Sequence, residues 1–205
     1  METHPHTGPR PAVAALLAAG AGSRFDGPDH KLRVLVGGRP LWHHALLAAC
    51  SGGHDLVVVV GGAVDLGPLP DLPDDAPPVV VVANDHWLQG QAGSVRVAVG
   101  FAEAHDAAHL TVGLADQPGI GAEAWRTVRL ADPACPIVVA DYPGGRGPHP
   151  VRFDSTLFAT LRELDGDDGA RSLLRAHPEW VCAVQCVGSG TDIDTQEDLR
   201  RWNSC

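Results

Sequence analysis

The chain has 205 residues, of which 44% are hydrophobic and 20% charged, and its formal net charge is −10. That length supplies one domain with a full core, and the composition is globular rather than disordered. The acidic balance excludes a nucleic-acid partner read through a basic face, so a nucleotide would depend on a local positive site.

Five cysteines (Cys50, Cys135, Cys182, Cys186 and Cys205) are scattered without C-x-x-C pairs, which indicates neither zinc nor a disulfide framework. Cys182 and Cys186 fall on one face of a predicted strand and read as small buried thiols. The first residues carry no apolar signal segment, and no apolar run reaches membrane-spanning length. The expectation is a cytoplasmic chain with no membrane partner.

Residues 1–11, rich in His and Pro, read as a flexible tail, and residues 12–205 as the domain. Val13–Ala18 is a short continuous apolar run, the pattern of a buried parallel strand. Pro40–Cys50 carries a helical pattern opened by proline. Asp55–Val60 and Val79–Val82 are valine-rich strands, separated by a Pro/Asp/Gly loop over Gly61–Pro78. Gln91–His105 reads as a helix, His109–Leu114 as a strand, Glu123–Leu130 as a helix and Pro136–Asp141 as a strand. Tyr142–Pro150 is a glycine- and proline-rich loop. Helices are predicted over Thr156–Leu164 and Ala170–His177, a strand over Trp180–Val187, and a closing helix over Thr195–Trp202. Strands alternating with helices imply a mostly parallel sheet covered on both faces.

In such sheets, ligands bind outside the carboxyl ends of the strands. The first strand ends in Leu17-Ala18-Ala19-Gly20-Ala21-Gly22-Ser23-Arg24, followed by Lys31, the only lysine in the chain. Glycines bare the backbone N–H groups, and two cations follow, which together make a place for phosphate. The bland alternative is a strand-to-loop turn with a solvated lysine. A dinucleotide fingerprint fails because Phe25 stands where the third glycine belongs, and a Walker loop fails because Gly27 is followed by Pro28-Asp29.

Asp116 follows the strand His109–Leu114, and Pro118 stops the strand immediately after it; that carboxylate can hold Mg²⁺ or merely cap a turn. Thr191-Asp192-Ile193-Asp194-Thr195-Gln196-Glu197-Asp198-Leu199 offers further carboxylates and, at Thr195 with Asp198, a plain helix start.

Taken in order, these segments resemble the signature of the MobA-like nucleotidyltransferases. The glycine loop is similar to L-A-[AG]-G-x-[SG]-x-R-x-G-x-x-K, with one extra residue between Gly27 and Lys31. Asn84 through Arg96 resembles N-x-x-W-x-x-G-x-x-x-S-[LV]-R. Leu114 through Pro118 resembles L-x-D-[MQ]-P. Gly144 through Val151 resembles G-x-R-G-H-P-V with Pro148 inserted. Gly166 through Leu174 resembles G-D-x-G-A-R-x-L-L, and Thr191 through Leu199 resembles D-I-D-T-P-E-D-L. The Ala18-Ala19 doublet is similar to the cytidylyl branch, the molybdenum cofactor cytidylyltransferases.

The resemblance implies a three-layer Rossmann-like α/β nucleotidyltransferase fold. It also implies transfer of CMP from CTP to the phosphate of molybdopterin, with Mg²⁺ as cofactor and release of pyrophosphate. Arg24, Lys31 and Asp116 would be catalytic. Leu17, Ala18, Ala19, Gly20, Gly22, Ser23, Arg24, Lys31, Asn84, Gly90 and Ser94 would bind the nucleotide. Asp116 and Asp194 would hold the metal, with Asp192 as the alternate, and His149 would lie on the pterin side. Transient contact with a molybdoenzyme or its chaperone is the implied partner. The alternatives are a GTP-using relative, an enzyme with another phosphorylated acceptor, and a non-catalytic carrier of the finished pterin cofactor.

Overall fold

The computed structural model describes residues 8–144, 147–167 and 169–203. Seven strands form the central sheet: β1 (Ala12–Leu17), β4 (Leu56–Gly61), β5 (Val79–Ala83), β6 (His109–Leu114), β7 (Ile137–Asp141), β8 (Val151–Asp154) and β9 (Val181–Gln185). Their spatial order is β5-β4-β1-β6-β8-β7-β9, and a two-stranded hairpin, β2 (Leu35–Val36) with β3 (Arg39–Pro40), stands apart. β8 pairs antiparallel with both β6 and β7, and the other pairings in the sheet are parallel.

Side chains of a strand point alternately to the two faces, and β1 shows what this does in a fully covered sheet. Ala14 and Leu16 join one core with Trp42, Leu46 and Trp125, from helices α1 (Leu41–Cys50) and α3 (Ala122–Leu130). Val13, Ala15 and Leu17 join the other core with Val95, Val99, Phe158 and Leu161, from α2 (Gln91–Ala104) and α4 (Phe158–Arg162). All six residues of β1 are buried. This explains why the strand is a continuous apolar run rather than an alternating one. The fold is the expected three-layer α/β arrangement. α5 (Arg171–Ala176) and α6 (Gln196–Trp202) complete it.

Four features depart from the sequence reading. The segment after Pro150 is strand β8, inside which Arg152 is only 3% exposed. Its guanidinium donates to the carbonyls of Arg129, Ala131, Asp132 and Cys135, so the buried charge caps the end of α3 and the loop behind it. The helix expected over Thr156–Leu164 is a 3₁₀ turn (Ser155–Leu157) followed by the short α4. Cys135 and Cys182 are joined in a disulfide, Cα to Cα 6.1 Å, because parallel pairing of β7 with β9 brings Cys182 opposite Val138. Cys182 is therefore not a free buried thiol, whereas Cys50 and Cys186 are.

Residues 1–7 of the expected tail, together with Cys205, lie outside the described residues. Arg10 and Pro11, also assigned to the tail, are tied to the body. Arg10 donates to the carbonyls of Asp106 and Ala107, and the Pro11 carbonyl accepts from the Ala108 amide. Among the described residues no helix is long and apolar enough to cross a membrane.

Candidate functional site

A cleft of about 490 Å³ opens over the carboxyl ends of β1 and β6. One wall is the glycine loop. The Ala18 amide bonds the Val60 carbonyl at 2.8 Å and the Ala63 amide bonds the Ala19 carbonyl at 3.1 Å, which anchors the loop's entry to β4. Gly22 then turns with φ +62°, and a Cβ there would lie 3.0 Å from the His30 ring and 3.1 Å from Lys31 Cγ. Close approach and left-handed backbone both require glycine at this point. The His30 ring clasps the loop: Nε2 is 3.0 Å from the Gly20 carbonyl, and Nδ1 accepts from the Leu32 amide. Those contacts place the ring proton on Nε2.

Below the loop, the ammonium of Lys31 sits between two carboxylates, 2.6 Å from Asp116 Oδ2 and 2.7 Å from Asp194 Oδ1. Burial alone would lower its pKa, but the charges and hydrogen bonds of Asp116 and Asp194 raise it above its ordinary value. Arg24 reaches the second oxygen of Asp194 at 3.0 Å from a largely exposed position.

Asp194 is brought to Asp116 by a loop sewn onto the end of β6. The Ile193 amide donates to the Asp116 carbonyl, the Ser189 amide to Gly119, and Gln117 Nε2 to Gly190. A capping box formed by Thr195 and Asp198 opens α6 directly behind Asp194. Asp192 lies beside the pair, and burial followed by the nearby Asp116 charge pushes its carboxyl above the usual range. Asp116 Oδ1 and Asp192 Oδ1 are buried without a hydrogen-bond partner.

Of the residues the sequence singled out for a nucleotide, Leu17, Ala18, Ala19, Gly20, Gly22, Ser23, Arg24, Lys31, Gly90 and Ser94 line the cleft, as do Asp116 and Asp194. Asn84 is not among the lining residues. It is 2% exposed, donating to Ser94 Oγ and accepting from the His86 amide, so it positions the segment that does line the cleft.

His149 stands apart, beside a small cavity that shares Leu17 and Gln91 with the main cleft and also holds Arg171. Burial, and secondarily the Arg171 charge, push the His149 imidazole down to about 4. Gly145 and Arg146 of that motif, and Asp168 of the later one, lie outside the described residues.

Asp167 and Gln91 are lining residues that the sequence reading passed over. The available signal was Gly90: its φ is +98°, and a Cβ there would come within 2.5 Å of the Gly166 carbonyl and Asp167 Oδ1. That contact closes the far wall of the cleft.

With the geometry established, comparison with known proteins gives a consistent answer. The chain is 32% identical to a nicotine blue oxidoreductase of Paenarthrobacter nicotinovorans, over 92% of this chain and 95% of that protein. It is 31% identical to the purine catabolism protein PucB of Bacillus subtilis, over 91% and 93%. Among solved structures, Rv0371c of Mycobacterium tuberculosis superposes with a TM-score of 0.74 at 28% identity, covering 95% of this chain and 98% of that one. The same protein has been crystallised in complex with manganese. The nucleotidyl transferase Mth528 of Methanothermobacter, 19% identical with a TM-score of 0.75, shares the fold. The family model for the MobA-like NTP transferase domain matches residues 14–180, and the chain belongs to that family.

Proposed function

We propose that this MobA-like nucleotidyltransferase transfers CMP from CTP to the phosphate of molybdopterin, releases pyrophosphate and acts in the cytoplasm. The observation that carries the reading is the Lys31 ammonium shared by Asp116 and Asp194 beneath a bare glycine loop. Cations and exposed amides for a triphosphate thus stand beside two hard oxygen ligands for a divalent ion.

The donor set fits Mg²⁺. Asp116 Oδ1 is a buried carboxylate oxygen with no protein partner, and Asp194 is held alongside. Asp116 and Asp194 would hold the ion, and among the described residues no third His, Cys, Asp or Glu completes a protein cage. The remaining ligands would be water and phosphate oxygens, as is usual for Mg²⁺. When bound, the ion supplies charge neutralisation on the triphosphate.

The other roles fall to this chain's residues. Gly20, Ser23 and Arg24 hold the phosphates, and Lys31 reaches them on its flexible stem. His30 fixes the path of the loop. Gly90 and Ser94 shape the sugar and base side, with Ser94 oriented by Asn84. His149, uncharged near neutral pH, faces the acceptor side with Arg171. Attack by the acceptor phosphate on the α-phosphorus, in line with departing pyrophosphate, needs little covalent help from protein; positioning and charge stabilisation carry it.

The test is pyrophosphate release from CTP with molybdopterin and Mg²⁺, with GTP competing. Preferential CTP turnover supports the reading. Nucleotide-independent binding of the finished cofactor, without pyrophosphate, would make the chain a carrier.

A further inference from the structure

Lys31 is engaged where phosphate binding would leave it free. Its side chain is 11% exposed, and both of its short contacts go to the carboxylates assigned to the metal. Arg24, 76% exposed, meets Asp194 Oδ2 at 3.0 Å from the mouth of the cleft. The two cations of the site are thus placed differently: Arg24 waits at the rim, while Lys31 sits on the floor. An ammonium there takes one oxygen of each carboxylate, Asp116 Oδ2 and Asp194 Oδ1, and sets a positive charge between them that a divalent cation bridging the pair must displace. Its four-carbon stem can turn toward a phosphate without moving the backbone.

Resting on the nucleotidyl-transfer reading above, we propose that Lys31 is a built-in place-holder for the divalent cation. It closes Asp116 and Asp194 against free metal and is drawn off them by the triphosphate, so that metal and nucleotide enter together. The nucleotide then raises metal affinity, and by linkage the metal raises nucleotide affinity by the same factor. Two carboxylates deprived of Lys31 repel each other, and a divalent ion relieves that repulsion. Removing the lysine therefore opens the site to free metal.

The experiment measures Mn²⁺ binding from the free-ion electron paramagnetic resonance signal, for wild type, Lys31→Met and Lys31→Arg, with and without CTP. Association of Mn²⁺ with CTP alone is measured separately and subtracted. Without nucleotide, Lys31→Met is expected to bind Mn²⁺ on the order of tenfold more tightly than wild type, within the usual span of coupling between sites. Lys31→Arg keeps a cation on the floor and stays weak. CTP is expected to tighten Mn²⁺ binding to wild type by a similar factor and to tighten Lys31→Met much less. Equal or weaker Mn²⁺ binding by folded Lys31→Met overturns the proposal.

If Lys31→Met does not fold, as thermal unfolding will show, the wild-type arm decides: no gain in Mn²⁺ affinity on adding CTP overturns it. No acceptor enters this experiment, so a wrong acceptor fails the pyrophosphate assay and leaves this result intact. Absence of Mn²⁺ binding to wild type even with CTP overturns the metal assignment itself.

Discussion

At the carboxyl ends of β1 and β6, charged side chains stand in close pairs beside an open cleft. At the amino ends of the same strands, two imidazoles and two guanidiniums are packed together, buried or half-buried. Lys31, Asp116, Asp194 and Arg24 form the first group, each within 3.0 Å of a partner of opposite charge. His54, His109, Arg129 and Arg152 form the second. There His54 is 4% exposed with neither ring nitrogen bonded, and the two terminal nitrogens of Arg152 donate to carbonyls rather than to an acid. Burial first, then neighbouring positive charge, pushes the His54 imidazole down to about 3 and that of His109 to about 4. Paired charges near solvent can change partners when a ligand arrives, whereas buried neutral groups and capped carbonyls cannot. Substitution at the cleft end should therefore cost activity, and substitution at the opposite end should cost stability.

The largest effect expected at the cleft end is that of Asp116→Asn, a loss of turnover on the order of a hundredfold or more. The melting temperature should move little, since Lys31 keeps Asp194; a steady-state assay beside a thermal melt checks both. At the opposite end, Arg152→Met leaves carbonyls of four residues without their donor. It should lower unfolding free energy by about 3 kcal/mol, read by urea titration, with kcat of the surviving folded protein near normal.

Lys31→Ala should cost roughly 1.5–3 kcal/mol of transition-state stabilisation through one lost charge-assisted contact to phosphate, measured as kcat/KM. Near-normal turnover would mean that Arg24 alone serves the phosphates.

The smallest and most diffuse effect is pH dependence at the buried end. Both imidazoles have folded pKa values below the unfolded 6.5. The unfolded chain therefore takes up protons first as pH falls. Their contribution is complete above pH 6.5 and is lost from there down toward about 4 for His109 and about 3 for His54, at up to ~1.4 kcal/mol per pH unit for each group. Urea midpoints at several pH values read this slope, and a flat profile between pH 6.5 and 4.5 would contradict it.

The cleft was legible wherever its chemistry is local. The glycine loop is contiguous, and Asp116 ends an apolar run that can be nothing but a strand. Thr195 and Asp198 announce α6 by their spacing, which fixes Asp194 just ahead of it. Contacts made only by the fold were not legible. Nothing near Lys31 in sequence says that its ammonium lies between Asp116 and Asp194, 85 and 163 residues away. The resemblance makes Asn84 a nucleotide ligand; packing turns it inward onto Ser94. Strand β8 was hidden because a buried arginine breaks the apolar pattern, and its carbonyl partners come from a different helix and loop. The Cys135–Cys182 bond depends on the pairing of β7 with β9, which no spacing reveals.

The central claim is that Asp116 and Asp194 act as one unit, although they come from different ends of the chain. A double-mutant cycle of Asp116→Asn and Asp194→Asn on the rate of CTP turnover at saturating Mg²⁺ tests it most directly. Residues serving one ion are strongly non-additive, so the double variant is predicted to be no slower than Asp116→Asn within about twofold. Losses that multiply would place the two carboxylates in separate roles and contradict the account.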